Sequence, residues 1–517
     1  MILPFQFFSF NKKTSFIDQG IFWCFLLFLI TFPFSIRKIL WHIPIQGNFN
    51  EYASISLFLS DLFLWPLLFF LFLKLIIEHK NKDKSIFISI LQLFHGEQFS
   101  AQEKLLFALP IFLSLISLFS SLWSIAPLFS FFAALRFCGY VGFFLFLVFY
   151  NVPRETSSHF KFLSFNKDTI FSATLFLFLI LGSLEGLIAI LQFSIQHSLG
   201  LTVLKESILG IDIPGVAKII FHSERFIRGY GTFPHPNMLG GFLIASILCT
   251  GFILFHGKQL TKNFPLSIHL FLWIGLVIQL LGLFASFSKS ALIGLLLATV
   301  FILYHKKLGI QKQNQTGEVD CSTGNKQSQI KKSNYSFQKT KILITVMFIF
   351  IFLSSLLWYF FRGINLFFFF IQSLNERLLY QDIAFQAIHI KPFFGWGMDQ
   401  FIFFQQAFFP QLLAWQFQPA HTIFLLITTE LGLFGSSLFI FWLIQTFSFS
   451  IHNVSRETFQ EIILLKSLLI GFIFISFFDH YFWTLPQGQI LWWTFFGLLI
   501  RKLLREKIHL NSRKTIS

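Results

Sequence analysis

Apolar runs of roughly 17–25 residues recur along the whole chain, the length an α-helix needs to cross a bilayer. They read as continuous blocks rather than as alternating apolar and polar residues, which excludes the strands of a membrane barrel. Of the 517 residues, 55% are hydrophobic and only 12% are charged, and the mean hydropathy is +0.71. A chain of this kind folds as an all-α polytopic membrane protein, one integral membrane domain over 1–517. The 81 Phe reflect compositional bias, because Phe partitions into lipid as Leu does.

About twelve transmembrane helices are expected, near 20–36, 54–77, 104–124, 128–150, 169–194, 237–256, 267–286, 289–304, 341–361, 421–446, 463–479 and 487–500. The first follows Lys12 and Lys13 like a signal peptide, but no small-residue cleavage site comes after it, so it reads as an anchor. With the N-terminus inside, the inner segments hold most of the 39 Lys+Arg, which places both termini in the cytoplasm. Topology therefore accounts for the net charge of +16, and no nucleic-acid partner is needed. The Lys-rich segment 305–340 lacks apolar periodicity and reads as a disordered, basic cytoplasmic loop. Of four cysteines, Cys24, Cys138 and Cys249 fall in spans and Cys321 in that inner loop. They form no disulfide framework and have no metal-type spacing.

Two outward loops are long, 195–236 and 362–420, and long loops that carry function are the ones to examine. The first mixes apolar and charged residues as an interfacial helix would. It ends in RGYGTFPHPN, which sets Arg225, Arg228 and a Gly/Pro turn against the start of a span. The second contains RLLYQDIAFQAIHI, an amphipathic helix, then PFFGWG, a turn, and ends where His421 meets span ten. Both loops are expected to cap one shared cavity.

These residues resemble the O-antigen ligase / O-antigen polymerase superfamily of bacterial membrane glycosyltransferases. The resemblance covers about 225–440 and rests on four motifs in order. They are Arg228-Gly-x-Gly231-Thr-Phe-x-x-Pro236-Asn237; Ser288-Lys289-Ser290-Ala291; Pro392-Phe-Phe-Gly395-Trp-Gly397 with Arg377 ahead of it; and His421-Thr422, nine residues, then Gly432-x-x-Gly435. Two positions depart from the family pattern. Lys289 stands where arginine is usual, which keeps the charge and loses the bidentate fork, and Thr422 stands where an amide or serine is usual. The resemblance implies a GT-C-like architecture in the bacterial cytoplasmic membrane. It also implies transfer of a glycan from a polyprenyl-pyrophosphate carrier to an acceptor hydroxyl on the outer face, with inversion. The acceptor is a sugar, a lipid or a protein hydroxyl, with no metal or cofactor, and ligase and polymerase activities both stay open.

Such a reaction needs fixed cations for the leaving pyrophosphate and a base beside the acceptor hydroxyl. Arg228 is the first candidate to grip pyrophosphate; the alternative is an interfacial arginine snorkelling to lipid phosphates. Arg225, Lys289 and Arg377 are further candidates. Arg377 has the alternative of pairing with Glu376 or Asp382. Arg136 lies inside span four, where a charge marks function by default, and its alternative is an internal ion pair with Glu185 or Asp61. His421 is the candidate general base. Asn237 is a substrate-binding candidate that also reads as a cap for span six. Gly231, Pro236, Gly395, Gly397, Gly432 and Gly435 read as structural turn residues. Glu430 is expected to pair within the bundle, and the group Asp479 to Trp483 either anchors at the interface or lines the glycan cavity. A twelve-span transporter or lipid-linked glycan flippase is the competing function. A metal-dependent glycosyltransferase with paired acids in the first outer loop is disfavoured, since that loop offers only Glu51.

Overall fold

The structure, a computed structural model, describes residues 16–80, 99–152, 168–221, 224–256, 266–316, 366–449 and 454–514. Helix α1 (Phe16–Thr31) leads through the hairpin β1 (Arg37–His42) and β2 (Ser54–Phe58) into α2 (Asp61–Lys80), α3 (Ala101–Ser120), α4 (Pro127–Phe149) and α5 (Thr169–Ile195). A second hairpin, β3 (Lys218–Phe221) and β4 (Glu224–Ile227), precedes α6 (Pro236–His256), α7 (Leu266–Ala285) and α8 (Lys289–Thr316). Then come α9 (Leu366–Ile390), the short α10 (Phe401–Phe408), α11 (Ile423–Ser448), α12 (Arg456–Ser476), the single turn α13 (Tyr481–Thr484) and α14 (Pro486–Lys514).

Among the described residues, seven helices are long and apolar enough to cross a membrane: α3, α4, α5, α6, α7, α11 and α12. Helix α1 and the first part of α8 are apolar but shorter. Large apolar side chains such as Phe69, Phe72, Phe119, Leu270 and Ile444 are exposed on the bundle surface, as a lipid-facing surface requires. Helix α6 is the central element: 83% of its apolar window is buried inside the protein, against 44–61% for the other six. Being apolar all round, it has no face that must see water. It packs on α5, α7, α8 and α12.

The structure departs from the sequence reading in four places. The span expected from 54 starts at Asp61, because 54–58 pair with β1 in the antiparallel register Arg37↔Phe58 to His42↔Ser54. The first long loop carries the β3–β4 hairpin where an interfacial helix was expected; its β-branched and aromatic residues pair Lys218↔Ile227 through Phe221↔Glu224. Helix α8 continues to Thr316, so the start of the expected basic loop is helical, and 317–365, which includes the expected span 341–361, lies outside the described residues. Asn237 does not cap α6: its amide N–H is accepted by His235 Nδ1 at 3.1 Å.

One helix is broken to receive a loop. Gly432 of α11 sits at φ 71°, ψ −178°, outside helical space. The break strips the carbonyls of Thr429 and Glu430 and the N–H groups of Leu433 and Phe434 of helical partners, which is costly in a span unless they are paired again. The PFFGWG turn pairs all four. Trp396 N and Gly397 N donate to the Thr429 and Glu430 carbonyls at 3.0 and 2.8 Å, and Leu433 N and Phe434 N donate to Pro392 and Phe393 carbonyls at 2.7 and 3.2 Å. Backbone approaches this close that a Cβ on Gly432 would lie 2.1 Å from the Phe393 oxygen, and one on Gly395 2.4 Å from the Glu430 oxygen. Gly432→Ala is therefore expected to destabilise the protein by about 3–5 kcal/mol, strained φ and clash together. A melting temperature in lipid nanodiscs equal to that of wild type would contradict this.

Candidate functional site

The site is built where the end of the first long loop and the head of α11 each reach the turn after α12. The RGYGT loop follows β4 and lies against α5. Its Arg228 is half-buried, and Nε donates to the Ser286 carbonyl at 2.7 Å while Nη2 donates to Asn237 Oδ1 at 2.6 Å. Asn237 in turn donates from Nδ2 to Asp479 Oδ2 at 2.8 Å. Asn237 is thus a bridge between the first long loop and the turn after α12. Partial burial lowers the Arg228 pKa to about 10, against the charges of Tyr230 and Asp479 that favour the cation, so it stays positive at neutral pH.

His421 is set one residue before Thr422, which heads α11. Its ring stands 5.3 Å from His480 and 5.6 Å from Tyr380 of α9. Burial and then the charge of Arg377 lower its pKa, opposed by Asp479. His480 Nδ1 lies 2.7 Å from Thr484 Oγ1, and its own N–H donates to Asp479 Oδ1 at 2.9 Å. Burial pulls His480 down to about 3 and His235 to about 4, so both imidazoles are neutral. Burial opposes ionisation of Asp479, yet His480, His235 and His421, where acid protonates them, and the Asn237 hydrogen bond hold its carboxyl below the ordinary value, so it is ionised at neutral pH.

The cations converge on the same space. Lys289 is exposed at the head of α8 and lies within electrostatic reach of both Arg228 and Arg377. Arg377 also acts on His421. Among the described residues no ion pair joins Arg377 to Glu376 or Asp382; Asp382 accepts from Gln386 instead. Behind Lys289, the small residues of its motif pack on α6: a Cβ on Gly240 would lie 2.7 Å from Ala291 Cβ and 2.8 Å from Ser288 Cβ. The motif's serine and alanine thus settle the helix contact while its lysine faces the cluster side.

Other expected site residues lie elsewhere. Arg225 is exposed on β4 opposite Ile220, and no described contact joins it to the cluster. Arg136 donates to the Ser56 carbonyl, pairs with Asp61 at 3.5 Å and lies over the Phe58 ring. Glu185 is not its partner but binds Thr232. Glu430 accepts from Trp483 Nε1 at 2.8 Å, a pairing inside the bundle. Gly231 has φ 62° and Pro236 opens α6, where its missing N–H is harmless. Gly435, expected as a turn residue, instead lies within helix α11, past the break at Gly432, and packs against Leu431.

Four contributors were hidden in the sequence. Asp479 stood out only as part of a polar aromatic group. Tyr52, in the first outer loop, packs edge-on against His480 at 5.6 Å. That loop is fastened to the second long loop, with Asn50 Nδ2 donating to the Phe417 carbonyl and Gln46 Nε2 to the Pro410 carbonyl. Glu185 and Gln192 were legible only as polar residues inside an apolar run. His421, Asp479 and His480 also offer ligand atoms within 4.8 Å of one another, donor types a transition metal accepts. Both oxygens of Asp479 are already engaged, however, and Arg228 lies within electrostatic reach of Asp479 and Arg377 of His421.

No curated protein is similar enough to this chain to match it. Residues 274–440 match the family model described as O-Antigen ligase. That stretch contains Lys289, Arg377, His421 and the Gly432 break, while Arg228 and Asp479 reach the same cluster from outside it. Over those residues the chain is similar to the O-antigen ligase family.

Proposed function

We propose that the protein moves a glycan from a polyprenyl-pyrophosphate carrier to an acceptor hydroxyl, at the outward face of the cytoplasmic membrane. The observation that carries this reading is that Lys289 lies within electrostatic reach of Arg228 and Arg377, and Arg377 within reach of His421, whose imidazole is held neutral. The acceptor oxygen attacks the anomeric carbon as the bond from that carbon to the pyrophosphate oxygen breaks, which inverts the centre. The acceptor proton passes to His421, which is uncharged and free of the need to lose a proton first. The leaving pyrophosphate gains charge against the three cations, which are fixed before the reaction begins. Asp479 sits within electrostatic reach of His421 and favours the imidazolium that forms. Arg136 is committed to Asp61 and Ser56 and is not part of this set.

The test uses purified protein in lipid with a polyprenyl-pyrophosphate glycan and a pool of sugar, lipid and protein acceptors. Release of polyprenyl pyrophosphate is expected, at the same rate with and without a chelator. Release abolished by chelator would move His421, Asp479 and His480 to metal ligands. Uptake of a glycan lipid into proteoliposomes without any release would point to a flippase.

A further inference from the structure

We infer that Glu185 and Gln192, both fully buried on α5, are positioning residues that clamp the Arg228 loop into its working shape. This rests on the glycan-transfer reading above. Residues 185, 189, 192 and 196 share one face of a helix, and each engages this loop. Gln196 Oε1 accepts from Ile227 N at 2.7 Å. Gln192 Oε1 accepts from both Tyr230 N and Gly231 N at 2.9 Å, and its Nε2 donates to the Gly231 carbonyl at 2.8 Å. Glu185 accepts from Thr232 N and from Thr232 Oγ1, each at 2.7 Å. Between them, Gly229 lies flat on Ala189, where a Cβ would meet the Ala189 oxygen at 2.7 Å.

The stripe thus engages the loop at Ile227, Gly229, Tyr230, Gly231 and Thr232, on both sides of Arg228, mostly through backbone groups. From Gln196 to Glu185 it runs about 16 Å along the helix axis. Helix α5, at 27 residues, is about 40 Å long and exceeds the roughly 30 Å hydrocarbon thickness. Its loop-bearing end therefore reaches into the interface, where it serves as a rigid post. Buried polar side chains in a span are costly and mark function by default. Here the partners belong to the loop that carries Arg228. Gln192 Nε2 also donates to Glu206 Oε1 at 2.8 Å, and Glu206 accepts from Leu199 N and Leu201 N, so one amide ties two parts of the first long loop together.

The experiment compares Gln192→Met and Glu185→Leu, which keep volume and remove hydrogen bonds, with Glu185→Gln, which can still accept from Thr232 N and donate to Thr232 Oγ1. In otherwise wild-type protein the first two are expected to lower turnover about 10- to 100-fold through a misplaced Arg228, and Glu185→Gln to restore most of it. In an Arg228→Ala background, Gln192→Met should add little further loss, because both act through one group. Independent, multiplying losses would overturn the inference. A second arm needs no substrate: amide hydrogen exchange of 228–233 should quicken in Gln192→Met while the spans keep wild-type exchange. Unchanged exchange in that loop would overturn the clamp even if transfer were seen. Quickened exchange with no release from wild type on any donor would uphold the clamp and refute the enzyme.

Discussion

Replacing His421 by alanine is expected to lower glycan transfer by about 10²- to 10⁴-fold while the protein still folds and binds its donor, since that is the usual contribution of a positioned general base. The side chain is half-buried and its ring neighbours are Tyr380 and His480, so its loss removes edge contacts rather than a core. The donor KM should change little, because the phosphate-binding cations are untouched. The pH profile gives an independent check. Burial and Arg377 hold the His421 pKa below its ordinary 6.5, so the base is unprotonated from neutral pH down through that value. The acid limb of turnover should therefore lie below the ordinary histidine value, and it should vanish in the residual activity of His421→Ala. Full activity in His421→Ala, or an acid limb centred at the ordinary value, would remove His421 from the role of base.

Arg228→Ala is expected to act on the other half of the reaction. Removing one preorganised donor to a developing anion typically lowers turnover about 10²- to 10³-fold, and here the donor KM should rise as well. Arg228→Lys should recover only part of this. A lysine cannot reproduce the planar fork that meets both the Ser286 carbonyl and Asn237 Oδ1. The loss also breaks the chain from Arg228 through Asn237 to Asp479, leaving buried acceptors short of a donor at about 1–3 kcal/mol each. Competition by inorganic pyrophosphate separates the two effects: weaker inhibition in Arg228→Ala reports lost phosphate binding, whereas melting temperature reports the lost bridge. Unchanged inhibition and turnover in Arg228→Ala would transfer the pyrophosphate to Lys289 and Arg377 alone.

The cation set illustrates how unevenly a site is written into sequence. Arg228, Lys289, Arg377 and His421 were read from segments beside turns or span ends, and the structure sets Lys289 within electrostatic reach of Arg228 and Arg377, and Arg377 within reach of His421. Arg225 and Arg136 carried the same type of signal and fall outside the cluster. A β-strand turns alternate residues away from each other, and on β4 Arg225 is left exposed. Arg136 found the buried Asp61 near by, and an intramembrane charge takes the partner that spares it desolvation. The interfacial helix expected in the first long loop became a hairpin for a related reason. Its composition suits either form, and cross-strand pairing between Lys218 and Ile227 was invisible without the fold.

What the sequence determined alone is the membrane class, the approximate places of the described spans and the turn residues, because each depends on local properties: run length, side-chain polarity and the φ freedom of glycine. Gly432 and Gly395 read as turns from their identity. Only the tertiary structure showed that the two fit each other, one breaking a span and the other repairing its backbone. The same holds for Asp479, Tyr52, Glu185 and Gln192. Their roles are relations between segments far apart in the chain, 242 positions in the case of Asn237 and Asp479. Such a relation is fixed by which helix faces pack together, and no local pattern encodes it.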